Sequence, residues 1–137
     1  MLSLGLVSLA LFLGQVTAAA TGFAAPPAEL YSPLVAQKVL KTAQSFPNPA
    51  QYPPYTDRVV GDWIWFAPDL WTTGFFPATL YAMHDRANLC PSNAGDASQW
   101  LDLGRTWATP EIPLEINTSV GHDVGFLSFP FVDELAV

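Results

Sequence analysis

The sequence predicts an all-α fold of about four helices. Apolar residues recur at intervals of three and four in four separate segments, which is the spacing that one face of a helix requires. No segment alternates apolar and polar residues over a useful length, as a half-buried strand would. We therefore expect four main helices and at most two short strands.

The first two helices are predicted from their apolar faces and from the prolines between them. The first is expected over about 29–45. Its apolar face consists of Ala36, Val39, Leu40 and Ala43. Four prolines then predict an irregular, aromatic loop over 47–69. These are Pro47, Pro49, Pro53 and Pro54. The second helix is expected from Thr73 to about residue 88, with Thr72 or Thr73 as its cap and Pro77 confined to its first turn.

The last two helices are predicted from a cap and from apolar stripes. The third is expected to begin at Asp96, whose side chain can cap the backbone while Gln99 reaches back. Its stripe is Trp100, Leu103 and Trp107, and Pro110 ends the segment. The fourth begins near Gly125 and carries Leu127, Phe131 and Leu135, with a kink at Pro130. Because no stop signal precedes Val137, we expect the domain to be truncated after about four helices.

The N-terminus predicts secretion. An apolar run over 2–13 is followed by small residues at 17–20, which is typical of a signal peptide with an Ala-x-Ala-like cleavage site. We therefore expect a signal peptide over 1–20, a mature domain over 21–137 and an extracellular location. A membrane anchor is the alternative, but the run is shorter than the ~20 residues that a membrane helix needs.

Composition excludes nucleic acid as a partner and indicates an unusually apolar surface. The chain carries a formal net charge of −7 with five basic residues, so it has no basic patch to neutralise nucleic-acid phosphates. Half of its residues are hydrophobic and only 12% are charged, which predicts apolar surface that another segment or chain covers. The single cysteine, Cys90, forms no internal disulfide.

Two motifs place aromatic and ionisable residues at predicted helix starts. The first runs from Trp71 to Pro77 and has the pattern Trp-Thr-x-Gly-Phe-x-Pro. The second runs from Gly121 to Phe126 and contains His-Asp-x-Gly-Phe. Helix N-termini carry free backbone N–H groups and the positive end of the dipole, so they suit carboxylates.

In this order, and separated by one helix, the two motifs resemble those of the unsaturated glucuronyl hydrolases of glycoside hydrolase family 88. The resemblance covers roughly 52–135. It implies an (α/α)6 barrel, of which this chain would form the N-terminal part. It also implies a secreted glycosidase that removes 4,5-unsaturated uronic acid from lyase-generated oligosaccharides. In that family the enzyme hydrates the vinyl ether and does not attack the anomeric carbon, in contrast to the usual two-carboxylate displacement.

The resemblance also implies site residues, position by position. Asp123 matches the first catalytic aspartate, and His122, Trp71 and Phe75 match residues that contact the sugar. No metal or organic cofactor is implied, and the partner is an oligosaccharide that carries an unsaturated uronic acid. The family's second aspartate lies further along than this sequence reaches. We therefore expect no hydrolysis by residues 21–137 alone.

Other interpretations of the same residues stay open at this point. Asp123 could cap the fourth helix, His122 could be a structural histidine, and Trp71 and Phe75 could be core residues. The chain could be a non-catalytic, truncated gene product. The His-Asp pairs at 84–85 and 122–123 also allow a metal-dependent phosphohydrolase, although the chain holds no further histidine.

Overall fold

The computed structural model describes residues 24–45 and 51–137, so the predicted signal peptide over 1–20 lies outside the described residues. The helices are Pro33–Ser45 (α1), Phe75–Leu89 (α2), Pro91–Ala94 (α3), Ala97–Ala108 (α4) and Phe129–Glu134 (α5). Short 3₁₀ segments lie at Ala28–Tyr31, Thr109–Glu115 and Gly121–Phe126. Two strands, Tyr52–Thr56 (β1) and Trp63–Phe66 (β2), pair antiparallel. The chain is therefore mostly helical with one small sheet, and the all-α prediction holds only in part.

The hairpin corrects the prediction that prolines leave this stretch irregular. Tyr52 pairs with Phe66 and Tyr55 pairs with Ile64, and the register shifts between the two pairs. Pro53 and Pro54 occupy that shift. A proline cannot donate to a strand ladder, but at a bulge no ladder bond is required of it. The expectation of at most two short strands is confirmed for the described residues.

The core lies between α2 and α4, with α1 and the hairpin against one side of it. Leu80, Trp100 and Trp107 are almost fully buried there. The buried indole N–H of Trp100 donates to the Ala94 carbonyl oxygen at 2.5 Å, so the ring keeps its hydrogen bond. The hydroxyl of Tyr52 donates to the Trp107 carbonyl oxygen, also at 2.5 Å, and this bond joins the hairpin to α4. Truncating either tryptophan to alanine is expected to cost about 3–5 kcal/mol.

The N-terminal cap of α4 follows the sequence prediction, whereas that of α2 does not. The carboxylate of Asp96 accepts the Ser98 backbone N–H at 2.9 Å, as an N-cap should. The helix α2 starts after Gly74 and has no side-chain cap. The hydroxyl of Thr73 instead lies 2.5 Å from the Pro68 carbonyl oxygen, because the loop before α2 folds back against it. The predicted cap at Thr72 or Thr73 is therefore wrong.

The predicted fourth helix is also corrected. The segment forms a 3₁₀ turn over Gly121–Phe126 and a separate six-residue α5. Pro130 lies in the first turn of α5, where its missing N–H removes no helical hydrogen bond, so it begins a helix and does not kink one. Leu135, just after the end of α5, is 89% exposed, and Phe131 is half-buried.

One polar network holds α5 against the core. The carboxylate of Glu134 accepts the Tyr81 hydroxyl at 2.6 Å and the Arg105 guanidinium at 2.7 Å. These partners belong to α2 and α4, so a single side chain of α5 reaches both helices. Both hydrogen bonds lower the pKa of Glu134.

Among residues 24–45 and 51–137, none of the helices combines the length and the hydrophobicity that a membrane span requires.

Candidate functional site

The two sequence motifs touch through their backbones. Gly74, at the start of α2, lies directly against the end of the 3₁₀ turn Gly121–Phe126. A Cβ atom at Gly74 would overlap the Phe126 carbonyl oxygen and would lie 2.8 Å from the Leu127 Cα. Only glycine permits this approach, because any side chain would push the two segments apart. The glycine of the first motif is therefore the contact point for the second.

Four aromatic rings surround this contact and form what we call the aromatic platform: Trp71, Phe75, Phe126 and Phe129. The ring centroid of Trp71 lies 6.1 Å from that of Phe75 and 5.7 Å from that of Phe126. Each of the four side chains keeps more than a third of its surface exposed. An exposed cluster of this kind is unusual for a core and marks a surface that contacts a ligand, another segment or another chain.

Of the platform residues, sequence reasoning singled out Trp71 and Phe75 only. Phe126 ends the His-Asp-x-Gly-Phe motif, so its inclusion in that motif was a usable signal. Phe129 follows three residues later, and nothing in the sequence distinguished it from a core residue. The structure brings all four together because Gly74 lets the second motif approach α2.

Asp123 and His122 lie in the 3₁₀ turn that leads to the platform. The Asp123 carboxylate is 3.3 Å from His122 Nε2, a contact that is an ion pair only when the imidazole is protonated. The His122 side chain is 95% exposed, so this pair contributes little to stability. Asp123 accepts no backbone N–H in the described chain, and α5 begins six residues later, so Asp123 does not cap a helix.

Asp69 binds the segment that immediately precedes the second motif. Its carboxylate accepts the Thr118 hydroxyl at 2.5 Å and the Ser119 backbone N–H at 3.0 Å. Hydrogen bonding by the Ser119 side chain first, and then by Thr118, lowers the pKa of Asp69. Asp69 precedes the first motif by two residues, so it joins the two motif-bearing segments a second time.

Glu111 lies fully buried beneath the first motif. Neither carboxylate oxygen has a hydrogen-bond partner among the described residues. Burial raises the pKa of Glu111 to about 8, and the negative charge of Glu115 adds to the rise. The Thr73 hydroxyl already faces two carbonyl oxygens, of Pro68 and Leu70, so the geometry assigns its hydrogen there and not to Glu111. Glu111 therefore favours the neutral acid near pH 7, and no sequence signal identified it.

His84, the other histidine, has a structural place. Its Nδ1 lies 2.8 Å from the Ala97 carbonyl oxygen, and its Nε2 lies 3.0 Å from the amide nitrogen of Asn88. Both ring nitrogens are thus engaged at the C-terminal end of α2. Among the described residues, no three histidine, cysteine, aspartate or glutamate side chains are grouped to hold a metal ion.

Comparisons with protein-family models, with curated proteins and with solved structures found no match for this chain. The resemblance carried by the two motifs therefore remains a hypothesis about family.

Proposed function

We propose that this chain carries the Asp123-bearing part of the sugar site of a secreted glycosidase, one that releases 4,5-unsaturated uronic acid from lyase-generated oligosaccharides. The observation that supports this most is the direct contact of the two motifs at Gly74, which sets an exposed aromatic platform three residues from Asp123. The proposal includes an (α/α)6 barrel as the complete architecture. It also includes a shared groove for Trp71 and Asp123.

The platform suits the ring of an unsaturated sugar. Aromatic faces pack against the C–H groups of a pyranose ring, and Trp71 offers the largest such face of the four. Phe75 lies in the first turn of a fifteen-residue helix that packs on the core, so the platform has a rigid base. A rigid base positions a substrate without an ordering cost at the moment of binding.

The proposed reaction is hydration of the vinyl ether. A proton is added to C4 of the unsaturated ring, and positive charge develops at C5 and the ring oxygen. The oxygen of water then bonds to C5 and loses a proton, and the hemiketal opens to release the glycan. The ionised Asp123 carboxylate stabilises the positive charge, since a fixed negative group near a developing cation lowers the barrier. The resemblance assigns proton donation to a second aspartate, which has no counterpart in residues 1–137.

The test is the loss of absorbance of the conjugated double bond in an unsaturated uronyl disaccharide. We expect no turnover by residues 21–137 and clear turnover by any longer product of the same gene. In the active form, Asp123→Asn should lower kcat by about 10²-fold or more. Asp102→Asn, an exposed aspartate of α4 that undergoes the same charge change, is the matched control and should leave kcat unchanged.

Two results would contradict the proposal. One is a longer product that hydrates none of the unsaturated uronyl disaccharides offered. The other is an Asp123→Asn variant that is as active as the Asp102→Asn control. Turnover by residues 21–137, abolished by Asp123→Asn, would support the activity and would overturn only the need for a second aspartate.

A further inference from the structure

A second concave surface lies beside the platform, between α1, the hairpin and the first turns of α2. We call it the α1–hairpin groove, and its volume is about 300 Å³. Most of its lining is apolar, and its polar side chains are Lys38, Thr42, Trp63, Thr72 and Thr79. Ligand pockets typically have volumes of roughly 300–1,000 Å³ and combine an apolar lining with a few placed polar groups. By volume the groove therefore suits about one sugar unit.

The groove is lined by one cation, Lys38, for which the described residues supply no ion-pair partner. Lys38 makes no ion pair with any described residue, and it is one of only five basic residues in a chain of net charge −7. A chain with this net charge repels anions at long range, so an anionic ligand would need a local cation. Lys38 is exposed at the edge of the groove and provides that cation beside an apolar lining.

Trp63 is oriented before any ligand binds. Its indole N–H donates to the Thr42 hydroxyl at 3.1 Å, and the Thr42 hydroxyl in turn donates to the Lys38 carbonyl oxygen at 3.1 Å. These bonds join β2 to α1 and fix the tilt of the ring, while 40% of the side chain stays exposed. A ring held in this way can stack on a sugar at little cost in side-chain entropy.

Thr72 supplies the unused hydrogen-bonding group. Its Oγ1 is buried and has no partner among the described residues, although buried hydroxyls are nearly always paired. The Thr79 hydroxyl, by contrast, donates to the Phe75 carbonyl oxygen at 2.7 Å. Because Thr72 lines the groove, its hydroxyl can donate to a ligand oxygen once the side chain turns toward the groove.

The groove and the aromatic platform share one side chain. Phe75 lines the groove, and its ring lies 6.1 Å from that of Trp71 on the platform. An oligosaccharide whose terminal sugar lies on the platform would therefore meet the groove with its following units. The two surfaces together suit a chain of sugars better than a single one.

We propose that the α1–hairpin groove binds a uronate unit of the oligosaccharide. Its carboxylate pairs with Lys38, its ring stacks on Trp63, and one of its oxygens accepts the Thr72 hydroxyl. This assignment rests on the proposed function, because it extends the same sugar site from its terminal unit to an acidic unit further along the chain.

The experiment uses saturated oligosaccharides, which lack the double bond and cannot be hydrated. Tetrasaccharides of hyaluronan and of galacturonic acid are titrated into the purified chain, and binding is followed by tryptophan fluorescence and by calorimetry. Fully N-acetylated chitotetraose serves as the neutral comparison. We expect at least one acidic tetrasaccharide to bind, and chitotetraose to bind at least about tenfold more weakly, because a charge-assisted hydrogen bond is lost.

Three variants sharpen the test. Lys38→Gln should weaken binding of the acidic tetrasaccharide about tenfold. Arg58→Gln, in the exposed turn between β1 and β2, makes the same charge change outside the groove and should leave binding unchanged. Thr72→Val should weaken binding severalfold while leaving the denaturation midpoint unchanged or higher, because it removes a buried hydroxyl that has no partner in the free protein.

Several outcomes would overturn the inference. Equal weakening by Lys38→Gln and Arg58→Gln would mean attraction by net charge alone, and equal affinity for chitotetraose would mean that no acidic group is recognised. Binding of neither acidic tetrasaccharide would remove the groove as a uronate site. The hydration assay is independent of these titrations, so a failed groove and a failed catalytic proposal give different results.

Discussion

Glu111 should make the stability of this chain fall as pH rises. The change that exposes this effect is Glu111→Gln, which keeps the shape of the side chain and removes its ionisation. The carboxyl is fully buried without a hydrogen-bond partner in the described structure, and burial is the main reason that its pKa rises to about 8. In the unfolded chain the same group titrates near its ordinary value of 4.5.

The sign follows from which state holds the proton. Between pH 4.5 and about 8 the folded chain keeps the Glu111 proton, whereas the unfolded chain has lost it. Each pH unit in that window therefore lowers the free energy of unfolding by about 1.4 kcal/mol. Stability from this group is complete below pH 4.5 and is lost as pH rises through 8. The whole loss is on the order of 5 kcal/mol, which is comparable to the total stability of a small domain.

The assay is urea denaturation from pH 5 to pH 9 for the wild type, Glu111→Gln and a control, Glu29→Gln. Glu29 is exposed in the first 3₁₀ segment, so the control makes the same charge change without burial. We expect the free energies of unfolding of the wild type and the control to fall steeply with pH. The Glu111→Gln variant should lose much less and should become the most stable of the three at pH 9. A Glu111→Gln variant whose pH slope equals that of the control would refute the reasoning.

Two further predictions concern how the site is held. Gly74→Ala should lower the free energy of unfolding by several kcal/mol, because its Cβ would overlap backbone atoms. Gly125→Ala, whose Cβ would meet open space, should cost less than about 1 kcal/mol. Denaturation midpoints compare the two variants, and equal costs would contradict the packing argument. Tyr81→Phe should lower the free energy of unfolding by about 1.5–3 kcal/mol, because it removes a hydrogen bond to the Glu134 carboxylate. It should also speed amide hydrogen exchange in α5. Unchanged exchange in α5 would show that this bond does not hold the helix.

Elements with strong local signals were predictable from sequence. The helix α4 has its cap at Asp96 and its tryptophans at helical spacing, and the structure places both tryptophans in the core. The hairpin was missed because prolines at 53 and 54 usually exclude a strand, and their tolerance depends on a register shift that only pairing with β2 creates. The fourth helix was predicted to begin near Gly125, before the observed start of α5, because the apolar spacing continues through the preceding 3₁₀ turn.

The site was predictable only as far as its motifs reach. Trp71, Phe75 and Asp123 stand in two recognisable patterns, and the structure brings those patterns into contact. The burial of Glu111 and the position of Lys38 beside Trp63 are tertiary properties that composition and spacing do not encode. A glutamate between two prolines reads as a surface residue until its neighbours are known.

In the aromatic platform, a single ring can be removed with a large effect on sugar binding and a small effect on the free energy of unfolding. The four rings contact one another at their edges, yet each stays more than a third exposed, so removing one of them exposes little new core. What fixes their positions is the backbone contact at Gly74 and the burial of Leu127 behind it. Phe129→Ala should therefore weaken sugar binding. It should lower the free energy of unfolding by less than the ~3 kcal/mol that truncation of a buried phenylalanine costs. A cost of 3 kcal/mol or more would show that the platform is part of the core and not a surface kept open for a ligand.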